Sequence, residues 1–235
     1  RSCAVGDELP HDLFQVFYET VDGALLLGTD GKGLLRVTSP LDADTLAFEV
    51  LSEDEGLASN HVRDLHEDDE GLLWIATEDR GRCRLDRQGA VARHGGALDC
   101  LGQDDGLHSN SLHRILDDDH GRLWMNSNQG LFWVARADLD AWARGEVSTV
   151  PSIAYGEIDG LPARKGNGGV QQAGLRARDG RLWFPTMGGI AVVDPAAITP
   201  PSLPTSLIET IRTGDRTLSV GASDAGVIPQ AEGDL

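Results

Sequence analysis

The feature that most constrains this chain is a phrase that recurs four times. In each copy a polar stretch closes on a glycine, and an apolar run follows it. The four turn glycines lie 48, 50 and 59 residues apart, and they are Gly23, Gly71, Gly121 and Gly180. The position three residues later holds Leu26, Trp74, Trp124 and Trp183. Repeats at such a spacing are typical of solenoids, propellers or arrays.

A second phrase keeps a fixed distance from the first. Leu9 in "DELPHDLF", Leu57 in "DEGLASNHV" and Leu107 in "DDGLHSNSL" each lie 14 residues before the turn glycine. In the fourth copy, Leu161 lies 19 residues before Gly180, which indicates a five-residue insertion at or near "RKGNGG". Two sequence motifs that keep the same separation from copy to copy indicate genuine structural repeats.

Each copy reads as a set of short strands. In the second copy, β-forming residues predict strands at Val62 to Glu67, Leu72 to Thr77 and Arg82 to Asp86, with a looser fourth strand after them. The acidic residues before Gly71 are a hairpin signal, because glycine readily adopts the positive φ of a tight turn. Four short antiparallel strands in roughly 50 residues predict a β-propeller blade. The tryptophan is expected to pack between neighbouring blades.

One helix is predicted inside this all-β pattern. In "RADLDAWARGE", Asp138 is the expected N-cap, Leu139 and Trp142 share a face, and Gly145 is the expected stop. The helix lengthens the third repeat as a decoration on the outer connection of its blade.

The predicted domains follow from the repeat. Motif copies lie near 7–52, 54–104, 105–158 and 159–199, which makes residues 1–199 about four blades of a propeller. Past Pro195 the rhythm stops at a Pro-rich linker, and a β-alternating run from Leu207 to Ile211 leads into a Gly-Asp turn and another strand. Residues 200–235 are therefore predicted to be a linker and the incomplete start of a second β domain.

Composition excludes several functions. The formal charge is −18, from 38 acidic and 20 basic residues, so binding to nucleic acid or to an anionic membrane surface is disfavoured. The sequence has no run of eighteen apolar residues, so no transmembrane helix is expected. The chain opens on Arg1 without a targeting segment, and we expect it to be a processed product or a piece of a longer protein.

Two clusters could suggest metal or redox chemistry. Asp117 and Asp119 match the first two ligand positions of an EF-hand loop, but Gly121 breaks the pattern, and the acids recur in phase with the turn. A structural turn is therefore favoured, and no metal or cofactor is expected. Cys83 and Cys100 are close enough in sequence to bridge neighbouring strands, a matter that geometry decides.

The stretch "DGLHSNSLHRILDDDHGRLWMNSNQGL" resembles the two-component regulator propeller repeat of bacterial sensor proteins. The segment from "ARKGNGG" to "DPAAI" resembles the closing blade of such arrays, and the stretch from Pro200 resembles the start of the triple-tyrosine β-sandwich, an Ig-like domain. This resemblance implies a propeller of about seven blades, completed by sequence beyond this chain. It also implies the periplasmic part of an inner-membrane receptor whose output module is a histidine kinase or a diguanylate cyclase.

The resemblance implies a candidate ligand site. In propellers the "DGLxSN" loops surround one end of the channel, where ligands commonly bind. The residues expected to face or border that end are Asn60, His61, Arg63, Asn110, His113, Arg114, Lys165 and Asn167. The Ser-Asn pairs are better explained as turn formers that bond their own backbone. For Arg63, His113, Arg114 and Lys165 both interpretations stay open. A structural role is predicted for Gly71, Trp74, Gly121, Trp124, Gly180 and Trp183.

The leading functional hypothesis is a non-catalytic, ligand-sensing domain of a membrane signalling receptor, with a small molecule or an oligosaccharide as ligand. Its partners would be the remaining blades and the membrane-anchored output module, with a homodimer formed through the parent receptor. The alternatives are an enzyme on a propeller scaffold, similar to the streptogramin lyases, and a propeller that serves as a protein-interaction scaffold.

Overall fold

The computed structural model describes residues 13–40, 46–86, 98–169, 172–198, 210–213 and 216–219. Contacts divide the chain into two units, Arg1–Ala197 and Ile198–Leu235. The first unit carries all the sheets that follow the repeat.

The first three copies of the repeat each form a four-stranded antiparallel sheet in chain order. The first sheet consists of β1 (Phe14–Glu19), β2 (Leu25–Thr29), β3 (Leu34–Val37) and β4 (Phe48–Leu51). The second consists of β5 (Val62–Glu67), β6 (Leu72–Thr77), β7 (Arg82–Asp86) and β8 (Leu98–Leu101). The third consists of β9 (Leu112–Asp117), β10 (Arg122–Ser127), β11 (Gly130–Ala135) and β12 (Ile153–Tyr155). The strands predicted for the second copy are confirmed at the same bounds.

The fourth copy departs from the expected blade of four strands. Its described residues form three strands, β13 (Leu175–Arg176), β14 (Leu182–Thr186) and β15 (Gly189–Val193). The innermost strand, β13, is only two residues long, and Gly166, in the inserted stretch before it, makes a single β-bridge to Thr186.

All four turn glycines have positive φ, between 72° and 86°, as the hairpin signal predicted. A left-handed backbone at this position costs glycine nothing and strains any residue with a Cβ. The end of the sheets that carries these glycines is called the turn end. The opposite end, at which the outer strand of one sheet passes to the inner strand of the next, is called the crossover end.

The core lies between the sheets. The inner strands are neighbours, since β1 packs against β5 and β5 packs against β9. One apolar cluster joins the first and second sheets, and a second cluster joins the second and third sheets. In the latter, the fully buried Trp74 of the second sheet lies with Leu112 and Leu123 of the third. Burying apolar faces sheet on sheet gives the radial arrangement of propeller blades, so the predicted all-β propeller fold is confirmed.

The predicted helix is present, but its start differs from the prediction. Helix α1 (Arg136–Ala143) begins directly after β11 with Ala135 as N-cap. Asp138 instead lies inside the first turn, where a carboxylate still interacts favourably with the positive end of the helix dipole. Leu139 and Trp142 are buried, and the helix thereby covers the contact between the second and third sheets.

The second unit contains a hairpin of β16 (Thr210–Thr213) and β17 (Arg216–Ser219). The strand predicted from Leu207 to Ile211 thus begins at Thr210 among the described residues, since 207–209 lie outside them. The assignment of this hairpin to an Ig-like sandwich stays a prediction. No helix in the described part of the chain is long and apolar enough to cross a bilayer.

Candidate functional site

The acidic residues in the turns of the repeat stabilise the hairpins and the buried tryptophans. The Asp68 carboxylate accepts hydrogen bonds from the backbone N–H groups of Glu70 and Leu72 and from Trp74 Nε1, at 3.0, 2.9 and 2.6 Å. Asp118 repeats this arrangement with the N–H groups of His120 and Arg122 and with Trp124 Nε1, at 2.8, 3.1 and 2.7 Å. One carboxylate thus closes the turn and satisfies the buried indole.

Each of these buried carboxylates also has a cation. Arg136, at the start of α1, pairs with Asp68 and contacts Asp69 at 2.7 Å. Asp118 is paired with Arg122 of its own sheet, whose Nε lies 2.7 Å from the carboxylate. The positive charge that offsets burial thus comes from the same sheet for Asp118 and from the helix after the next sheet's third strand for Asp68. Within the described residues, no group of three or more His, Cys, Asp or Glu side chains could hold a metal ion.

At the crossover end, the "DGLxSN" phrase builds a short capped turn. A 3-10 helix spans Glu53–Glu55, and Gly56 ends it at φ 102°. The Glu55 carboxylate accepts from Ser52 N at 2.8 Å, and Asn60 Oδ1 accepts from Glu53 N at 2.9 Å. The buried Leu57 then enters the core. The equivalent bond of the third copy runs from Gln103 N to Asn110 Oδ1 at 2.8 Å.

The backbone of the same phrase links consecutive sheets. The Asn60 carbonyl accepts hydrogen bonds from the N–H groups of Gly31 and Gly33 in the preceding sheet, both at 2.9 Å. The Asn110 carbonyl accepts from Gly81 N at 2.7 Å. Both asparagines therefore stabilise the backbone framework of the sheets, called the frame. Each does so through its side-chain oxygen and through its main-chain carbonyl.

The residues that do not follow the repeat are different, because their side chains pair with one another at the crossover end. His61 Nδ1 lies 2.5 Å from Asp30 Oδ1 of the preceding sheet. Arg63 Nε donates to Glu78 Oε2 at 2.6 Å. These pairs sit at the start of β5 and on the loops that join the middle strands, so they line one end of the sheets.

His113 is the most buried member of this set. Its Nε2 lies 3.2 Å from Asn128 Oδ1, while its Nδ1 is buried without a hydrogen-bond partner among the described residues. The pKa of His113 is lowered, chiefly by burial; the hydrogen bond to Asn128 and the charge of Glu78 oppose this, and the charges of Arg63 and Lys165 add to it.

The inserted loop of the fourth copy closes over His113. A Cβ placed on Gly168 would lie 2.1 Å from His113 Nδ1, so only glycine allows this approach. Asn167 N donates to Pro185 O at 2.9 Å, and its Oδ1 accepts from Gly169 N at 3.3 Å. Lys165 is exposed on the same loop, and its carbonyl accepts from Met187 N at 2.9 Å.

The last predicted residue, Arg114, binds a partner that the sequence interpretation missed. Arg114 donates to the fully buried Asp64 at 2.7 Å, and Ile115 N donates to the same carboxylate at 2.7 Å. Burial raises the pKa of Asp64 to about 6, against the opposing effect of Arg114. The sequence did contain a signal for this contact. Asp64 occupies the position that holds Val16, Arg114 and Ala173 in the other copies, and an acidic residue there departs from the repeat.

A disulfide joins two facing strands of the second sheet. Cys83 of β7 and Cys100 of β8 are directly opposed, with their Cα atoms 4.0 Å apart, and their sulfur atoms are bonded. Cys83 is fully buried in the core between the first and second sheets. The link that the sequence left to geometry is therefore formed, and it ties the outer strand to the blade.

The fold and the repeat define a β-propeller chain, and comparison with known proteins agrees. Residues 56–79 match the family model described as two component regulator propeller. The resemblance drawn from the sequence is thereby confirmed at the second copy. No curated protein matches the sequence.

Two solved structures are similar over most of the chain. One is the extracellular domain of a hybrid two-component system from B. thetaiotaomicron, at 17% identity and a TM-score of 0.66, covering 93% of this chain and 28% of that protein. Another such domain from the same organism has 21% identity and a TM-score of 0.59, covering 79% and 24%. This similarity establishes the propeller fold. The chain spans about a quarter of the length of either structure.

Proposed function

We propose that this chain is part of the ligand-sensing, extracytoplasmic propeller of a bacterial membrane-bound signalling receptor, and that it is not itself catalytic. The match of residues 56–79 to the two component regulator propeller model supports the signalling role. The neighbours described as extracellular domains of two-component systems support the location outside the cytoplasm.

The observation that carries the proposal is the contrast between repeating and non-repeating residues at the crossover end. The repeating Ser, Asn and Gly positions bond the frame. The non-repeating side chains form two pairs there, Arg63 with Glu78 and His113 with Asn128, and the charges of Glu78, Arg63 and Lys165 all act on the pKa of His113. Polar groups that the frame does not require, placed together at one end of a propeller, are suited to recognising a ligand.

The chemistry of this set favours a hydroxyl-rich ligand such as an oligosaccharide. It offers guanidinium and ammonium donors beside carboxylate and amide acceptors, and a sugar hydroxyl both donates and accepts. Asn60, His61, Asn110, Arg114 and Asn167 border this set, and their contribution would be to fix its shape. Glu78 is held by Arg63 and Asp64 by Arg114, and these ion pairs fix the positions of the polar groups at the site.

The proposed partners are further propeller blades and a membrane-anchored output module, a histidine kinase or a diguanylate cyclase, in a receptor that forms a homodimer. Support for further blades comes from the fourth sheet, where one face carries the exposed apolar side chains Leu175, Trp183, Ile190 and Val192. In the second sheet the equivalent tryptophan is fully buried against the next sheet. An exposed apolar face made of four such side chains favours contact with another sheet.

The test is a thermal-shift screen of the chain with neutral glucose-, mannose- and xylose-based oligosaccharides, followed by calorimetric titration. We expect one of them to raise the Tm by mass action. Lys165→Ala and Arg63→Gln should each weaken its binding at least about tenfold, the effect of losing one charged hydrogen bond. The matched control is Arg181→Gln, which removes an exposed arginine on the turn end of the fourth sheet.

The same experiment separates the competing functions. Chromatography of the bound saccharide after prolonged incubation should recover it unchanged, whereas a new product would favour an enzyme. If no saccharide changes the Tm and a protein partner co-purifies instead, the sensing proposal is wrong and an interaction scaffold is favoured.

A further inference from the structure

Two ionisable residues lie side by side on the inner strand of the second sheet, on the face that packs against the third sheet. Asp64 and His66 of β5 are directly opposite Ala76 and Trp74 of β6, which belong to the apolar cluster between the two sheets. Opposed residues of an antiparallel pair share a face of the sheet. The other copies have Tyr18, Leu116 and Leu175 where the second copy has His66. The imidazole is therefore not required by the repeat.

The carboxylate of Asp64 joins β5 to the inner strand of the third sheet, β9, through both of its oxygens. Oδ1 accepts a hydrogen bond from Nη1 of Arg114 at 2.7 Å, and Oδ2 accepts from the backbone N–H of Ile115 at 2.7 Å. The Asp64 side chain is almost completely buried, whereas 22% of the Arg114 side chain is exposed. One oxygen thus makes the ion pair, and the other makes the bond to the backbone.

His66 faces a second carboxylate of β9, but without a hydrogen bond. Its Nε2 lies 3.6 Å from Asp117 Oδ1, which is longer than the roughly 2.7–3.2 Å of an N–H···O hydrogen bond. The same nitrogen is buried and has no hydrogen-bond partner among the described residues. A protonated imidazole donates through both nitrogens, so a closure of a few tenths of an ångström would give a charged hydrogen bond to Asp117.

The charged groups around these two residues come from several elements. Asp117 and Arg114 of β9, Asp68 of the turn after β5, and Arg136 of α1 all act on the charge of His66. The other ionisable groups close to the pair of contacts are Asp69 beside His66, Tyr18 beside Asp64, and Arg176, whose Nη1 lies 3.6 Å from Asp117 Oδ1.

Mild acidification acts on both residues. Burial lowers the pKa of His66 below its ordinary value of 6.5, and the charge of Asp117 opposes this effect. Burial raises the pKa of Asp64 to about 6, and the charge of Arg114 opposes this effect. At neutral pH the carboxylate is therefore ionised and the imidazole is neutral. As the pH falls, each of the two residues binds a proton.

We propose that the contact between β5 and β9 is a pH-responsive joint, in which mild acidification exchanges the ion pair Asp64–Arg114 for the ion pair His66–Asp117. A proton on Oδ1 of Asp64 leaves Arg114 without its acceptor, while Oδ2 still accepts from Ile115. The freed guanidinium can turn to water, because Arg114 is partly exposed. A second proton binds His66, whose Nε2–H then donates to Asp117. The charged contact thereby moves two residues along β5 toward the turn end.

The joint lies directly beside residues proposed for saccharide binding. Arg63 precedes Asp64 on β5, and His113 precedes Arg114 on β9. The inference nevertheless goes beyond the proposed sensing function and does not depend on it, because both ion pairs form without a ligand.

The test is an NMR titration of the ¹³C,¹⁵N-labelled chain from about pH 7.5 to about pH 4.5, the range in which a buried imidazole changes charge. The reporters are the carboxyl carbons of Asp64 and Asp117, the imidazole nitrogens of His66 and the side-chain N–H groups of Arg114. The His66 nitrogens and the Asp117 carboxyl should change with the same midpoint. The Arg114 N–H groups should exchange faster with water as the Asp64 carboxyl becomes protonated.

Two variants test the two halves of the exchange. Asp117→Asn removes the acceptor of the protonated imidazole and should lower the midpoint of His66 by at least about 0.5 pH unit. Asp64→Asn imitates the protonated carboxyl, so the Arg114 N–H groups should exchange rapidly already at neutral pH. The matched control is Asp179→Asn in the turn of the fourth sheet, where Asp179 pairs with Arg181. It should leave both midpoints unchanged.

The proposal is overturned if His66 stays neutral over the whole range, or if its midpoint is the same in Asp117→Asn as in the wild type. It is also overturned if exchange of the Arg114 N–H groups does not respond to protonation of Asp64. Asp117 is partly exposed, so its variant keeps the test decisive if Asp64→Asn does not fold. No saccharide enters these measurements, so failure here is distinguishable from failure of the sensing proposal.

Discussion

The indole nitrogen of Trp124 donates a hydrogen bond of 2.7 Å to the Asp118 carboxylate, six residues earlier in the chain. The second copy makes the same bond, and in both the tryptophan is fully buried. In the fourth copy, Ala177 stands at the aspartate position, and Trp183 keeps 36% of its surface exposed. The aspartate is thus present in the copies whose tryptophan is buried. A buried indole N–H without an acceptor would cost free energy, and the carboxylate supplies that acceptor.

Asp118→Ala should destabilise the protein by about 3–5 kcal/mol, because it leaves Arg122 and the indole N–H of Trp124 buried without their shared partner. The matched control is Asp119→Ala on the same turn. Asp119 is 77% exposed and pairs with Arg176, so its loss should cost less than about 1 kcal/mol. Chemical denaturation measures both free energies of unfolding, and equal losses would show that the buried pair is not the cause.

Replacing both Cys83 and Cys100 by alanine should lower the free energy of unfolding by about 3 kcal/mol. The bond spans 17 residues, and closing a loop of that size removes entropy from the unfolded chain. A reductant should lower the wild-type stability by a similar amount and leave the double variant unaffected. Proteolysis without reduction, followed by mass spectrometry, should recover the two linked peptides, and recovery of both as free thiols would contradict the structure.

Asp64 should give the stability an unusual dependence on pH. Its pKa is raised by burial from 3.8 to about 6, so the folded chain binds the proton more tightly than the unfolded chain does. The contribution is therefore largest below pH 4 and is lost as the pH rises through 6. Relative to Asp64→Asn, the wild type should gain up to about 3 kcal/mol between pH 7 and pH 4. A carboxyl ¹³C titration should find Asp64 near 6, and an ordinary value would contradict the prediction.

Gly168→Ala should destabilise the loop of the fourth copy by about 1–3 kcal/mol, because the added Cβ meets the His113 ring. The double variant with His113→Ala should recover part of that loss, since removing the ring makes room for the methyl group. A double-mutant cycle by denaturation measures the coupling between the two positions. Strict additivity would mean that the alanine acts elsewhere. Gly169→Ala, whose Cβ would have no neighbour closer than 3.7 Å, is the matched control.

Much of the fold could be predicted from the sequence, because the repeat determines it. The spacing of Gly71 and Gly121 from the leucines of the second phrase gave the strands and turns at the right places. The N-cap of α1 was missed by three residues, since Ala135 has no polar side chain that could signal a cap. The short inner strand of the fourth copy depended on where the inserted loop runs, and sequence spacing alone does not give that path.

The candidate site was harder to predict, because its residues are defined by partners distant in sequence. Asn60 and Asn110 resemble ligand donors in the sequence, yet their oxygens bond the backbone seven residues earlier. The contact between Arg114 and Asp64 joins residues 50 apart on neighbouring inner strands. Only an arrangement of the strands in space, not a local pattern, reveals which polar side chains the frame uses.

The pairing of Arg136 with Asp68 has a consequence for engineering and for gene duplication. The cation that allows one sheet to bury its turn carboxylate comes from the beginning of the helix that follows the next sheet's third strand. A single blade copied or transplanted at the repeat boundary would carry the aspartate and leave its counter-ion behind. The transferable module is therefore longer than one repeat, and a graft of residues 54–104 would need a new arginine, or a neutral residue at position 68, to be tolerated.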